Sequence, residues 1–408
     1  MPFMLVTESL EKEKDKFLSE IKKNSSYSFP PSSEYPLSEL YEKKGMMFSL
    51  LIGESRSGEE VVLKGSSGMR IIPGYVNPCY SRNKMSEVLE KHDKLLKSAN
   101  DDGEKKKREA EALSEINSLF SFSSLSGDAF TLSSIESAKG GSGTCAGVKV
   151  LNSAIRKGYR IKAFAEFFVG KENENYKEGK FHPPCNERCK EIIGNMLLLD
   201  YVYVDEYIAV VEKPAGLLSV PGRGEDKKDS VTERFRLLFP DCPVNPSCHR
   251  LDMDTSGLMV LARDRNAHSI LSSDFEKRNV KKTYEALLDG MIEEKEGCID
   301  LPMRLDVDNR PYQIVDEENG KRAVTEFKLL GYGKRNGKLY SRVLFSPLTG
   351  RTHQIRVHAA YGLGHSIIGD RLYGRRDEGE RLCLHAKTLG FTHPVTGNEM
   401  SFSSPTPF

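Results

Sequence analysis

The spacing of apolar residues changes character along the chain. Near the start, the runs Met47–Ile52 and Val61–Leu63 flank Gly53-Glu54-Ser55-Arg56-Ser57-Gly58, which predicts a strand, a turn and a strand. From Met85 the period lengthens. Met85, Val88, Leu89, Leu95, Leu96 and Ala99, and then Ala110, Leu113, Ile116 and Phe120, keep helical spacing on either side of a break at Asn100-Asp101-Asp102-Gly103. This predicts an antiparallel helical hairpin over roughly 85–120, about three turns an arm. Residues 1–45 are polar, with Ser25, Ser26, Ser28, Pro30, Pro31, Ser32 and Ser33 clustered, and 121–143 are rich in Ser and Gly. The first cluster lies between short helical patches, and the second stretch reads as loop.

The second half has more strand-like runs. Tyr207–Val211 leads into the turn Lys213-Pro214-Ala215-Gly216, rigid at Pro and permissive at Gly. His249 to Gly257 is a polar loop feeding the buried run Leu258–Ala262. Further strands are predicted at Thr283–Leu288, Arg322–Leu330 and Leu339–Phe345, and near Phe391. Between them Thr349–His358 reads as a turn opening a helix, with Thr352 as its cap.

Composition narrows the class. A chain of 408 residues is too long for one ordinary core, and 38% hydrophobic with 29% charged residues is an ordinary globular balance. The formal net charge of +1 gives no global signature of nucleic-acid binding. An RNA partner would have to meet local patches: Lys277, Arg278, Lys281 and Lys282; Lys334, Arg335 and Lys338; or Arg371, Arg375 and Arg376. Each patch also reads as a solvated face. Eight cysteines without a regular framework suggest a reducing cytosol, the first residues lack the pattern of a signal peptide, and no apolar run approaches membrane-spanning length.

Two stretches could carry chemistry. Asp252 lies in a rigidly held polar loop, where a carboxylate can react or can simply cap the turn of Thr255-Ser256-Gly257. In the first half, Cys145, His182, Cys185 and Cys189 could supply four zinc ligands, but the spacing is a lone C-x3-C, and two small residues at a helix start explain it equally. Gly141-Ser142-Gly143-Thr144-Cys145-Ala146-Gly147 imitates a dinucleotide-binding glycine pattern. Its context fails, because the preceding segment is Ser-rich and Glu166 sits inside an apolar run.

Ordered blocks then form a pattern: Lys-Pro-Ala-Gly at 213–216, His-Arg-Leu-Asp-x-x-Thr-Ser-Gly at 249–257, Lys-x-Tyr-x-Ala at 282–286 and Gly-Arg-Thr-His-Gln-Ile-Arg-Val-His at 350–358. Gly369-Asp370-x-Leu-Tyr-Gly and Leu384-His385-Ala386 follow. Together they closely resemble the RluA-type RNA pseudouridine synthases over about 195–408. The resemblance implies isomerisation of uridine to pseudouridine in structured RNA, without a cofactor. By position, Asp252 matches the catalytic carboxylate, acting at C1′ or C2′ of the ribose. Tyr284 matches the aromatic that stacks on uracil, and Arg351 the cation that pairs with Asp252. Among substrate-binding residues, Ile355 matches the apolar pocket floor, Arg250 the residue that fills the vacated stack or holds the backbone, and Lys213 a support of the pocket. His249 and His353 are expected to be structural. Asp254 is expected to face solvent or cap its loop rather than meet Asp252.

The expected fold is α+β: a pseudouridine-synthase domain with a mixed, largely antiparallel sheet at 195–408, behind an α+β extension at 1–190. That extension would hold the strand pair, the hairpin and a Cys-containing segment at 140–190. It shows no small basic RNA-binding domain of the kind that often precedes this catalytic domain, and looks like the extension of one bacterial branch. The implied partners are large-subunit ribosomal RNA and/or transfer RNA in the cytoplasm, with neither DNA nor membrane. The stretch Leu217–Arg223 resembles family members that modify both RNA classes. The rival reading is an RNA-binding chaperone whose catalysis is dispensable.

Overall fold

The computed structural model describes residues 3–29, 33–99, 101–136, 138–185, 188–224, 227–374 and 380–408. Pro30, Pro31, Ser32, Asn100, Arg375 and Arg376 of the sequence reading therefore lie outside the described residues. The chain divides into two units, Met1–Glu206 and Tyr207–Phe408. No helix among the described residues is long and apolar enough to cross a membrane.

The first unit is built on a four-stranded antiparallel sheet in the order Glu60–Ser66, Met46–Glu54, Arg160–Val169, Phe181–His182. The run Met47–Ile52 is apolar apart from Ser49 because its strand is covered on both faces. Phe48, Leu50 and Ile52 pack with Leu10, Phe17 and Ile21 of the helix Glu8–Ile21. Ser49 and Leu51 face the other way, opposite Glu166 and Phe164 of the neighbouring strand. The helix Ala146–Lys157 lies on that second face: a side chain at Gly147 would collide with Phe164 and Glu166.

The expected hairpin is present as Arg82–Lys97 and Asp102–Leu119, 16 and 18 residues long. Its arms are longer than the apolar spacing suggested. Asp101 caps the second arm by accepting from the Glu104 N–H at 2.7 Å, and the pairs Lys97–Asp93 and Arg108–Glu104 support the ends. Lys91 and His92 of one arm both meet Glu115 of the other at 2.7 Å.

In the second unit the strand order is Glu296–Asp300, Val324–Arg335, Lys338–Pro347, Lys281–Asp289, Leu384–Thr392, Ser256–Ala262, Ile208–Lys213, with Glu399–Ser403 paired to Leu384–Thr392. These pairings are antiparallel except that of Ser256–Ala262 with Leu384–Thr392, which is parallel. The sheet is mixed and largely antiparallel, as expected. One row of partners crosses it: Lys213 opposite Gly257, Gly257 opposite Ala386, Ala386 opposite Tyr284, Tyr284 opposite Phe345. Blocks far apart in the sequence thus meet along a single line. Only glycine fits at 257, because its φ is +118° and a Cβ would overlap the Ala386 carbonyl.

The loop before that strand is held from two sides. The Ser219 hydroxyl donates to the Leu251 carbonyl at 2.6 Å and accepts from the Leu251 N–H at 3.0 Å. His249 accepts from the Val260 N–H at Nε2 (3.1 Å) and stacks on Phe275, centroids 4.3 Å apart, so it is a structural residue. Phe275 belongs to the helix Arg265–Lys277, capped by Asp264 through the N–H groups of Asn266 and Ala267.

Burial, and then the charge of Lys282, pushes the His249 ring down to about 3. The folded pKa therefore lies below the unfolded value of about 6.5. The contribution of the neutral ring is complete above that value and is lost as pH falls through the window toward 3. Unfolding in denaturant should show stability declining by a few kcal/mol more across this window in wild type than in His249→Gln, which keeps an acceptor and cannot titrate. Parallel curves would contradict this.

Candidate active site

A cleft of about 960 Å³ opens in the second unit, lined among others by Arg250, Asp252, Tyr284, Arg351, Ile355 and Arg356. It falls in the size range of small-ligand sites. Asp252 enters it from the loop ahead of Ser256–Ala262, with its side chain 26% exposed. The turn behind it is closed by the Thr255 N–H donating to the Asp252 carbonyl at 3.2 Å.

The cation beside Asp252 is Arg356, with Nη1 3.5 Å from Oδ2. Arg351, expected to make that pair, is exposed and donates from Nε to the Arg322 carbonyl at 3.3 Å. The cause of this correction is local backbone geometry. The helix here is short, Gln354–Val357, and begins after His353 in the left-handed conformation at φ +56°. His353, not Thr352, stands at the N-cap position, and no side chain caps it. That turn changes direction between residues 351 and 356. Gln354 pins it: its Oε1 accepts from the Thr349 hydroxyl (2.7 Å) and the Arg351 N–H (2.9 Å), while its Nε2 donates to Val324 O and Thr325 Oγ1.

Arg356 is anchored from behind. Its Nε and Nη2 donate to the two oxygens of Asp370 at 2.8 and 2.7 Å. The Asp370 side chain is fully buried, that of Arg356 is 5% exposed, and Asp370 also accepts from the Leu372 and Tyr373 N–H groups. Burial opposes both charges, but the pairing outweighs it: the Arg356 pKa moves up and that of Asp370 down. One guanidinium therefore bridges a buried carboxylate and a partly exposed one.

The Tyr373 ring lies under the guanidinium at 5.2 Å. Its hydroxyl accepts from the Gln313 N–H at 2.8 Å and is 2.8 Å from His353 Nδ1. His353 Nε2 is 3.9 Å from Asp252 Oδ2, which places this residue in the site rather than in a purely structural role. Burial lowers the His353 pKa, with Asp252 opposing. If the Tyr373 hydroxyl donates to Nδ1, the ring proton sits on Nε2 and faces the Asp252 carboxylate.

Tyr284 and Ile355 both line the cleft. Burial, followed by the negative charge of Asp252, raises the Tyr284 pKa, so the phenol keeps its proton. Lys213 stands elsewhere. It is fully buried, does not line the cleft, and donates to the carbonyls of Pro214 (2.8 Å), Leu217 (2.6 Å) and Met253 (2.7 Å). It ties the loop after its own strand to the loop carrying Asp252, which replaces the expected substrate-binding role. Burial pushes its pKa down to about 7, against the pull of Asp254 and Asp252. Asp254 is half-buried. Arg250 is exposed at the cleft, and Arg278, Lys281 and Lys282 of the first basic patch line it too.

Sequence reading missed Arg356, Asp370 and Tyr373 as site residues. The signal was present, since Arg356 stands in the Gly-Arg-Thr-His-Gln-Ile-Arg block and the other two in Gly369–Gly374. What was lacking was the turn that brings those blocks together.

Residues 207–361 match the family model described as RNA pseudouridylate synthase. The chain is 46% identical over 210 residues to the dual-specificity RNA pseudouridine synthase RluA of Escherichia coli K12, covering 51% of this chain and 93% of that protein. It is 43% identical over 213 residues to the protein of the same name from Haemophilus influenzae, covering 52% and 94%. Among solved structures it is similar to human RNA pseudouridylate synthase domain containing 1, at 32% identity and a TM-score of 0.45, over 52% of this chain and 84% of that one.

The two arginines should separate on substitution. Arg356→Met leaves Asp370 buried without its cation and should cost about 3–5 kcal/mol in denaturant unfolding. Arg351→Met, at an exposed position, should cost no more than about 0.5 kcal/mol. Equal losses would contradict the pairing described above.

Proposed function

Because the chain belongs to the RNA pseudouridylate synthase family, within its RluA type, we propose that its second unit isomerises uridine to pseudouridine in structured RNA with Asp252 as the reacting carboxylate. The observation that carries this reading is the position of Asp252. It stands in the cleft against a cation that is itself held by a buried carboxylate, and Tyr284 and Ile355 line the same space.

The target base must leave the RNA stack to reach such a cleft. Tyr284 stacks on the extruded uracil and Ile355 supplies apolar floor. Asp252 meets the ribose and acts either as nucleophile at C1′ or as base at C2′. The N1–C1′ bond breaks, the base turns, and a C5–C1′ bond forms. The proton on C5 leaves and N1 gains one, so atoms and charge balance without a further reactant. The protonated Tyr284 hydroxyl is suited to take part in that transfer. Arg356, rather than Arg351, sustains the charge on Asp252. Arg351 and Arg250, exposed at the cleft, are left to meet phosphates or the vacated stack, together with Arg278, Lys281 and Lys282. This local patch supplies the electrostatic attraction that a net charge of +1 does not.

The relatives named above are dual-specificity enzymes. With the resemblance of Leu217–Arg223, this supports action on both large-subunit ribosomal RNA and transfer RNA, in the cytoplasm.

The test is pseudouridine mapping across ribosomal and transfer RNA from cells lacking the chain, with wild type or Asp252→Asn restored. Sites should reappear with wild type and stay at background with the variant. In parallel, the purified variant should bind the same RNA within about threefold of wild type, because only the reacting group has changed. Modification by the variant at the wild-type level would overturn the assignment.

A further inference from the structure

Three thiols from separate parts of the first unit converge on one point. The sulfurs of Cys145, Cys185 and Cys189 all lie within 4.8 Å of one another, and those of Cys185 and Cys189 are 3.4 Å apart. Tetrahedral zinc with Zn–S bonds of about 2.3 Å places its sulfurs about 3.8 Å apart. A disulfide would engage two of these sulfurs and leave the third unexplained.

Cys145 is the N-cap of the helix Ala146–Lys157, and Cys189 is the N-cap of Lys190–Leu197. Two helix N-termini thus point positive ends at the cluster. The Arg188 guanidinium approaches the loop leading to Cys145, since a side chain at Gly141 would come within 3.3 Å of its Nη1. The Cys185 carbonyl accepts from the Cys189 N–H at 3.2 Å; Cys189 is buried and Cys185 exposed.

His182 lies outside the group of three sulfurs, but the sheet turns it toward the same side. His182 pairs with Glu166 across antiparallel strands, so the two side chains share a face. Glu166 accepts from the Gly147 N–H, two residues past Cys145, which identifies that face as the one under the helix. His182 Nε2 is buried without a hydrogen-bond partner, its ring packed edge-on against Tyr176 at 5.0 Å.

We infer that Cys145, Cys185 and Cys189 form a structural zinc site in the first unit, with His182, on the same face of the sheet, as the fourth-ligand candidate that the test below decides. It would tie the start of the helix Ala146–Lys157 to the end strand of the sheet and to the helix Lys190–Leu197. A thiolate-rich donor set with one imidazole selects zinc over magnesium or calcium. The ion would replace the thiol protons, so loading should release protons.

The test uses the full chain, purified anaerobically under reducing, chelator-free conditions. Elemental analysis should find one zinc per chain. Exchange for Co²⁺ should give the visible bands of a tetrahedral site and the near-ultraviolet sulfur-to-cobalt charge-transfer band. Both zinc and bands should vanish in Cys185→Ser/Cys189→Ser. His182→Asn should keep the charge-transfer band and weaken zinc binding by at least about tenfold. If the double variant does not fold, a mercurial titration of wild type serves instead, and zinc should leave as the thiols are blocked. Protein that neither contains nor binds zinc, a Cys185–Cys189 disulfide under these conditions, or zinc that survives thiol blockade would overturn the proposal. Unchanged affinity in His182→Asn would remove that residue as a ligand.

Discussion

The guanidinium of Arg356 is the interaction on which the site depends. Burying a cation is costly, and it is tolerated here because Asp370 meets it through two hydrogen bonds and two backbone N–H groups hold Asp370 in turn. The remaining face of Arg356 is directed at Asp252. The partly exposed carboxylate of the triad, Asp252, is the one in the cleft. The arrangement separates the duties of the two acids. Asp370 is buried behind the guanidinium, and Asp252 faces the cleft.

The sheet makes this possible by a single row of cross-strand partners. The parallel pairing of Gly257 with Ala386 sets the Asp252 loop beside the strand that carries Tyr284. Lys213 closes the other end of the row and anchors Met253, the neighbour of Asp252, through its carbonyl. Side chains from four sequence blocks are therefore fixed by backbone hydrogen bonding and the absence of a Cβ at one residue. A loop so constrained suits catalysis, which tolerates little error in the placement of a reacting group.

The strands and the blocks were legible because both follow from local pattern. The runs Met47–Ile52 and Val61–Leu63 about a polar turn foretold a strand pair, and the polar loop running into Leu258–Ala262 foretold a loop at the mouth of a buried strand. The partner of Asp252 was not legible. Matching the block by position selected Arg351, whereas the chain makes a left-handed turn at His353 before four helical residues and Arg356 is the arginine beside Asp252. A positive φ at a histidine leaves no trace in hydrophobic periodicity. Lys213 was misread for a related reason: a lysine in a motif suggests a ligand contact, and only tertiary structure reveals three backbone carbonyls waiting for it. The hairpin was underestimated because charged pairs and a cap, rather than apolar residues, define its ends.

The central claim is that Asp370 serves the reaction through Arg356 and by no other route. A double-mutant cycle on kcat/KM with a target RNA tests it directly, using Asp370→Asn, Arg356→Lys and the pair together. If the claim holds, the double variant is slower than Arg356→Lys alone by no more than about threefold, because the second change removes nothing further. Multiplying losses, as for independent sites, would contradict it.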